Sequence, residues 1–110
     1  MTLHLIVASE FAAEYRNCIT AMIEKDPNLR ITSHTEEPYW KDPSMQEISI
    51  RIDVKSAMIK AEWIAFFDRY VKHTDLNEDE NFLEIAHYSN AEDRSDPFVI
   101  AYIPRASVAV

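Results

Sequence analysis

The sequence predicts one α+β domain spanning residues 1–110, with two helices packed on one face of a mainly antiparallel sheet. Short segments alternate apolar and polar residues, most clearly at 46–54, as strands with one buried face do. Two longer segments instead repeat apolar residues at helical spacing. No internal repeat or flexible linker separates these segments, and a chain of 110 residues can bury roughly two thirds of its unfolded surface. A single packed core is therefore expected.

The first two predicted elements are a strand and a helix. The segment LHLIVA at 3–8 alternates leucine and valine with other residues and indicates a mostly buried strand. Ser9 is the predicted N-cap of a helix from Glu10 to about Lys25, which carries apolar residues at helical spacing. The sequence Asp26-Pro27-Asn28 is expected to end this helix.

A hairpin follows, formed by predicted strands at 29–37 and 46–54. Each segment alternates apolar with polar residues and so has one face suited to burial. The connecting sequence EEPYWKDPS contains two prolines. We therefore expect this connection to be a loop that projects Tyr39 and Trp40.

The second half is predicted to contain one helix and two further strands. Ser56 is the expected N-cap of a helix that runs to about His73. The segment TDLNEDENF then forms an acidic loop, followed by a strand from Phe82 to Ser89, the polar turn NAEDRSDP and a last strand from Phe98 to Ile103. This order is the βαββαβ order of ferredoxin-like folds with an extra C-terminal strand. The face away from the helices is predicted to present His4, Thr32, His34, Ser49, Arg51, Asp53, Glu84 and Tyr88.

Glycine is absent from the chain, which excludes several kinds of site. A phosphate-binding P-loop, a dinucleotide-binding turn and the nucleophile elbow of hydrolases all require backbone geometry that glycine supplies. Left-handed turn positions are expected to fall to Asn28, Asn77 and Asn90. The single cysteine, Cys18, cannot form an internal disulfide, and the apolar N-terminal stretch is too short for a signal or membrane segment. We expect a cytoplasmic protein.

Negative charge is concentrated in one part of the chain. Residues 74–97 contain eight carboxylates and one arginine, so most of the net charge of −8 of the whole chain lies in this segment. Such a surface repels phosphates, so direct binding of nucleic acid or of an anionic membrane is not expected. The aromatic residues of the predicted sheet also lack the basic surroundings of an RNA-binding platform.

No metal, cofactor or catalytic site is predicted. The segment that begins at Asp75 matches the first positions of a calcium-binding EF-hand loop, but Glu80 stands where the loop needs glycine and Ala86 where it needs glutamate. The four histidines lack zinc-ligand spacing. His4 and His87 lie on strands that are neighbours in a ferredoxin-like sheet, so an acid–base pair is an alternative.

What remains is an anionic surface with aromatic anchors. Carboxylates steer a basic protein toward such a surface, and aromatic side chains provide binding energy after contact. We therefore predict a partner-binding site without catalytic residues. Its predicted residues are Asp75, Glu78, Asp79, Glu80, Glu84, Asp93 and Asp96 for charge, and Trp40 and Tyr88 as anchors.

The segments TDLNEDENFLE and NAEDRSDP, with EEPYW nearby, give the chain a resemblance to small acidic bacterial immunity proteins. These proteins neutralise basic toxin nucleases, including the toxins of contact-dependent growth inhibition systems. The resemblance lies in size, charge and element class rather than in an aligned motif. It implies a one-to-one complex in which acidic groups cover the substrate-binding cleft of a toxin.

Two other functions remain open at this level. One is a small-molecule-binding or enzymatic domain of the dimeric ferredoxin-like kind, with a pocket lined by His4, His34, His87, Tyr88 and Trp63. The other is a subunit of a larger complex, for which an exposed hydrophobic patch would be the sign.

Overall fold

The computed structural model describes residues 1–69, 73–88, 92 and 99–109. These residues form an α+β structure with two α-helices and a six-stranded sheet, which confirms the predicted fold class. Two short 3₁₀ turns, Ser9–Phe11 and Arg105–Ser107, precede α1 and β8. The elements are β1 Thr2–Ala8, α1 Ala12–Lys25, β2 Leu29–Pro38, β3 Met45–Val54, β4 Met58–Ile59, α2 Lys60–Asp68, β5 His73–Glu78, β6 Phe82–Tyr88, β7 Val99–Pro104 and β8 Val108–Ala109.

The main sheet has the strand order β2-β3-β1-β7-β6-β5, and all neighbouring strands in it are antiparallel. The predicted hairpin of β2 and β3 is confirmed. Strands β1 and β2 are parallel to each other with β3 between them, so β1, α1 and β2 form a split βαβ unit. Strands β4 and β8 form a separate parallel pair.

The predicted acidic loop is wrong, because most of that segment is a strand. The second helix ends at Asp68, well before His73, and residues 73–78 form β5, which pairs with β6 at the edge of the sheet. An exposed edge strand needs few apolar side chains, and β5 has one, Leu76. The predicted order with one extra C-terminal strand is therefore not reproduced: β5 lies at the outer edge, and β7 lies beside β1.

Both helices pack on the same face of the main sheet. Tyr15, Ile19 and Ile23 of α1 and Trp63 and Phe67 of α2 are fully buried there. They contact a core that alternate residues of β1, β3, β6 and β7 provide. The opposite face is called here the open face. By alternation and register it carries Thr2, His4, Ile6, Arg30, Ser33, Thr35, Glu37, Glu47, Ser49, Arg51, Asp53, Asp75, Asn77, Phe82, Glu84, Ala86, Tyr88, Ile100 and Tyr102.

The helix starts differ from the prediction. Neither Ser9 nor Ser56 caps a helix; α2 begins after Ile59, whose N–H donates to the Glu62 carboxylate at 3.1 Å. Ser56 instead binds Asn28, with its N–H and hydroxyl donating to Oδ1 at 2.8 and 3.1 Å.

No described residue has a positive φ, so Asn28 and Asn77 do not occupy left-handed positions; Asn90 lies outside the described residues. Among the described helices, none has the length and apolar character that a membrane crossing requires.

Candidate protein-binding surface

Strand register divides the open face into two ends. The β2–β3 loop, residues 39–44, lies at one end, where β1 and β6 finish and β7 starts; this is the hairpin end. The β5–β6 turn, residues 79–81, lies at the opposite end, which we call the turn end. Glu37 and Glu47 at the hairpin end are thus separate from Asp79 and Glu80 at the turn end, and a partner that covers the whole face must contact both groups.

The hairpin end carries two carboxylates in direct register. Glu37 of β2 is paired with Glu47 of β3, so both point to the open face. Trp40 follows on the loop and is 79% exposed, and its ring lies 6.2 Å from that of Tyr39. We call Glu37, Tyr39, Trp40 and Glu47 the hairpin patch. It joins two carboxylates that repel each other to a mostly exposed indole, and the Lys41 ammonium lies 5.1 Å from the centroid of the Trp40 ring.

Hydrogen bonds hold the loop that presents Trp40. The hydroxyl and the N–H of Ser44 both donate to Asp42 Oδ1, at 2.6 and 3.0 Å, and these bonds hold the pKa of Asp42 below its ordinary value. The Tyr39 N–H donates to the Met45 carbonyl at 2.9 Å, and the Ser9 N–H donates to the Ser44 carbonyl at 2.9 Å. The loop is thus joined to β3 and to the residue after β1. A loop backbone held in this way loses less conformational entropy on binding.

The middle of the open face is a row of polar groups across four strands. Ser49, His4, Tyr102 and Glu84 are successive partners in register. His4 Nδ1 lies 3.1 Å from Ser49 Oγ and 3.8 Å from Glu47 Oε1. Burial, followed by the charge of Glu84 and the nearby Tyr39 hydroxyl, raises the pKa of Tyr102 above its ordinary value. Tyr102 therefore stays a neutral phenol next to Glu84 of β6.

The predicted carboxylates of the second half lie on different surfaces. Asp75 and Glu84 are on the open face, and Asp79 and Glu80 are exposed in the turn. Glu78 points to the helix side, where its carboxylate contacts Lys60 and lies 3.6 Å from Arg105. These cations neutralise Glu78, so it is a poor docking group.

The two predicted anchors differ in what they offer a partner. Tyr88 lies on the open face at the hairpin end but is 9% exposed, because it sits among packed neighbours of the sheet. Little of its side chain is therefore accessible to a partner. Trp40 is exposed, but it lies at the end opposite the acidic turn and next to Glu37 and Glu47 instead. Asp93 and Asp96 lie outside the described residues.

Glu37 and Glu47 were missed by the sequence-based site. Pairing the predicted strands end to end places Glu37 opposite Gln46, whereas in the structure Glu37 lies opposite Glu47. A register shift between Ile31 and Ser33 explains the difference, because one extra residue on β2 moves every later pair by one position. The sequence EEPYW was the available signal.

The predicted histidine-lined pocket does not form. His4 lies on the open face, His34 is exposed on the helix side of the edge strand β2, and His87 and Trp63 lie inside the core. His4 and His87 are not on neighbouring strands either, because β7 separates β1 from β6. A cleft of about 430 Å³ beside α2, lined by residues such as Asn28, Glu62 and Arg69, contains no histidine.

His87 is the buried end of a partly buried polar chain. The Thr74 hydroxyl donates to the Asp68 carboxylate, and its oxygen lies 3.2 Å from His87 Nδ1. This geometry requires a proton on Nδ1 and leaves Nε2 as an acceptor, for which the described residues provide no hydrogen-bond partner. Burial lowers the pKa of His87 to about 4 against the attraction of Asp68. With 0% exposure, His87 cannot contact a substrate from solvent.

The described residues include no group of three or more side chains suited to holding a metal ion. Comparison with family models, with curated proteins and with solved structures finds no match to this chain. A function can therefore be inferred only from the surface itself.

Proposed function

We propose that this protein is an inhibitor or immunity protein that binds and neutralises a basic protein, with a nuclease toxin domain as the partner class. The partner contacts the hairpin patch and the open face beside it. The observation that supports this proposal most directly is the paired carboxylates of Glu37 and Glu47 next to the exposed Trp40. A basic partner relieves the repulsion and covers the indole in the same contact.

The charge of the open face supports a basic partner. Its carboxylates outnumber its guanidinium groups among the described residues, and one of the guanidinium groups, Arg30, is bound to Asp53 at 2.8 Å. The carboxylates are Glu37, Glu47, Asp53, Asp75 and Glu84, and the guanidinium groups are those of Arg30 and Arg51. Long-range attraction raises the rate of encounter with a protein of opposite charge.

Trp40 supplies the short-range part of the contact. Tryptophan is enriched among the few interface residues that carry most of the binding energy. Here the hydrogen bonds of the loop fix the backbone that carries Trp40 before binding. Nucleases carry basic clefts because they bind phosphate backbones, so an acidic surface with an exposed aromatic anchor is suited to occupying such a cleft.

The test compares three forms of the protein as bait in lysate of the source cell at low and at high salt. They are the wild type, the double variant Glu37→Lys/Glu47→Lys and the double variant Glu14→Lys/Glu24→Lys. The first double variant keeps a like-charge pair in register, so its folding stability changes little. The second makes the same change in net charge at exposed positions of α1. The captured protein is then purified and assayed for cleavage of DNA and RNA.

We expect the wild type and the α1 variant to capture a basic protein whose nuclease activity falls to background at a one-to-one ratio. The hairpin-patch variant should neither capture nor inhibit it. The proposal is overturned if the captured protein is acidic, if a stoichiometric excess leaves its activity unchanged, or if both double variants lose inhibition equally.

A further inference from the structure

The two edges of the main sheet differ in how readily they accept another strand. At one edge, β2 has a register irregularity between Ile31 and Ser33 and ends at Pro38. A bulge twists an edge away from a flat partner, and proline has no N–H to donate. At the other edge, β5 pairs with β6 over all six of its residues without a register shift, and it contains no proline. Strand β5 is thus the better template for strand addition.

Helix α2 lies along β5 on the face of the sheet that the helices cover, and we call the side of α2 next to β5 the wall. Lys60 contacts Glu78 at one end, and the Asp68 carboxylate accepts a hydrogen bond from Thr74 at the other. Ile64 lies one helical turn from both Lys60 and Asp68, so it falls between these contacts, at the level of Leu76. Leu76 is 37% exposed, and Ile64 is partly buried against the core. The middle of the wall is therefore apolar and its ends are polar.

The other side of β5 is polar and negative. Asp75 and Asn77 are exposed on the open face, and the adjoining turn exposes Asp79 and Glu80. A second copy of this chain paired along β5 would bring the same carboxylates together, and like charges across strands are destabilising. The charge thus favours a basic segment over self-association.

We propose that β5 accepts an extended segment of the basic partner as a seventh strand of the sheet. In strand pairing, a residue shares the face of the residue opposite to it. The segment therefore places an apolar side chain opposite Leu76, where it reaches the wall formed by α2. The residues on either side of it face Asp75 and Asn77, where lysine or arginine fits. The recognised pattern is basic–apolar–basic in an extended conformation.

This inference deepens the proposed function and rests on it, because it states how one segment of the basic partner is held. Main-chain hydrogen bonds along β5 hold the segment in place, and the alternating side-chain environments set its specificity. The hairpin patch lies near the β2 edge of the main sheet, and β5 forms the opposite edge. Binding at β5 can thus be measured separately from binding at the hairpin patch.

The probe is a short end-blocked peptide of alternating lysine and valine, and its control is the same peptide with every backbone amide N-methylated. The control keeps charge and side chains but cannot donate main-chain hydrogen bonds. Affinity is measured by fluorescence anisotropy, and amide hydrogen exchange of the full-length protein locates the bound peptide. We expect the unmethylated peptide to bind at least about tenfold more tightly and to slow exchange in 73–78 but not in 29–38.

A pair of variants tests the apolar wall. Leu76→Lys places a cation where the apolar side chain of the segment would lie, so the affinity should fall about tenfold or more. His34→Lys makes a similar change at an exposed position of the other edge strand and should leave the affinity unchanged. Leu76 is already partly exposed, so its replacement leaves the core intact.

Three results would overturn the inference. The first is equal affinity for the two peptides, which would mean charge attraction without strand pairing. The second is protection at β2 or on the open face instead of β5, and the third is a wild-type dimer, detected by sedimentation, that protects 73–78. A basic partner that is inhibited while 73–78 stays unprotected would contradict the inference and leave the proposed function standing. Peptide protection at β5 without any inhibited partner would support strand addition at β5 and contradict the proposed function.

Discussion

Burial controls the protonation of His87. The side chain lies between the rings of Tyr15 and Phe67, with centroid separations of 6.4 and 5.7 Å, and it is 0% exposed. Desolvation disfavours the charged imidazolium, which is why the pKa falls to about 4 even though Asp68 attracts the proton. The residue stays neutral at neutral pH and stabilises the structure in that form.

This burial predicts a pH-dependent stability. The pKa of His87 is about 4 in the folded protein and 6.5 in an ordinary histidine, so between these values the unfolded chain binds a proton that the native state does not. The free energy of unfolding should therefore decrease as the pH falls through this window, by up to about 3 kcal/mol at its lower end. Urea denaturation across the window measures the slope.

The matched variants are His87→Phe, which keeps an aromatic ring between Tyr15 and Phe67, and His34→Gln, which removes an exposed histidine. The first should remove the part of the slope that His87 contributes, and the second should keep it. A slope that is the same in His87→Phe as in the wild type would contradict the assignment.

The paired glutamates of the hairpin patch predict a conflict between stability and binding. Glu37→Lys replaces a like-charge cross-strand pair with an attractive one and should raise the free energy of unfolding by about 0.2–1 kcal/mol. The same change should weaken binding of the basic partner. Chemical denaturation and surface plasmon resonance measure the two effects. A less stable variant would show that the pair does not destabilise the free protein, and a variant that binds equally well would show that the pair takes no part in binding.

At the scale of elements, one hydrogen bond joins α2 to the C-terminal segment. Trp63 Nε1 donates to the Ser107 carbonyl at 2.9 Å, and both residues are buried. This bond lies next to the short parallel pairing of β4 and β8. It holds the last described residues against the helical layer of the domain.

Loss of this bond should be measurable. Trp63→Phe keeps an aromatic ring but leaves a buried carbonyl without its donor, so unfolding should become easier by about 1–3 kcal/mol. Hydrogen exchange should also become faster in 105–109. Trp40→Phe is the matched control at an exposed site and should change stability by less than about 0.5 kcal/mol. If the two substitutions have equal effects, the Trp63 bond does not stabilise the C-terminal segment.

At the scale of the whole molecule, ionic strength sets the distance over which the two acidic groups attract a partner. The longest dimension of the protein is 34 Å, several times the Debye length of about 8 Å at physiological ionic strength. At low salt, the turn and the hairpin patch both attract an approaching basic protein. At physiological salt, each acts mainly on the part of the partner that it touches.

Charge reversal at the turn should therefore change association kinetics in a salt-dependent way. Asp79→Lys/Glu80→Lys should slow association with the basic partner at low salt and flatten its dependence on ionic strength, with a smaller effect on dissociation. Stopped-flow measurements over a range of salt concentrations provide the test, with Glu14→Lys/Glu24→Lys as the control of equal charge. Unchanged kinetics would mean that the turn takes no part in steering.

The local periodicity of apolar residues determined the main elements and the fold class of this protein. The isoleucines of β3 and the apolar residues of α1 recur at the spacing that buries one face, so these elements and the α+β class could be predicted before any contact was known. The acidic excess of the second half and the exposure of Trp40 were also readable from the sequence. Both follow from residue chemistry and neighbouring residues.

Tertiary structure decided the rest, because the deciding partners are distant in sequence. Residues 73–78 became a strand through pairing with β6, although one apolar side chain gives no clear alternation. Glu78 is neutralised by Lys60 and Arg105, and Tyr88 is buried by its neighbours in the sheet. The register shift in β2 brought Glu37 opposite Glu47. Burial, register and charge pairing are properties of assembled elements, so no single segment could reveal them.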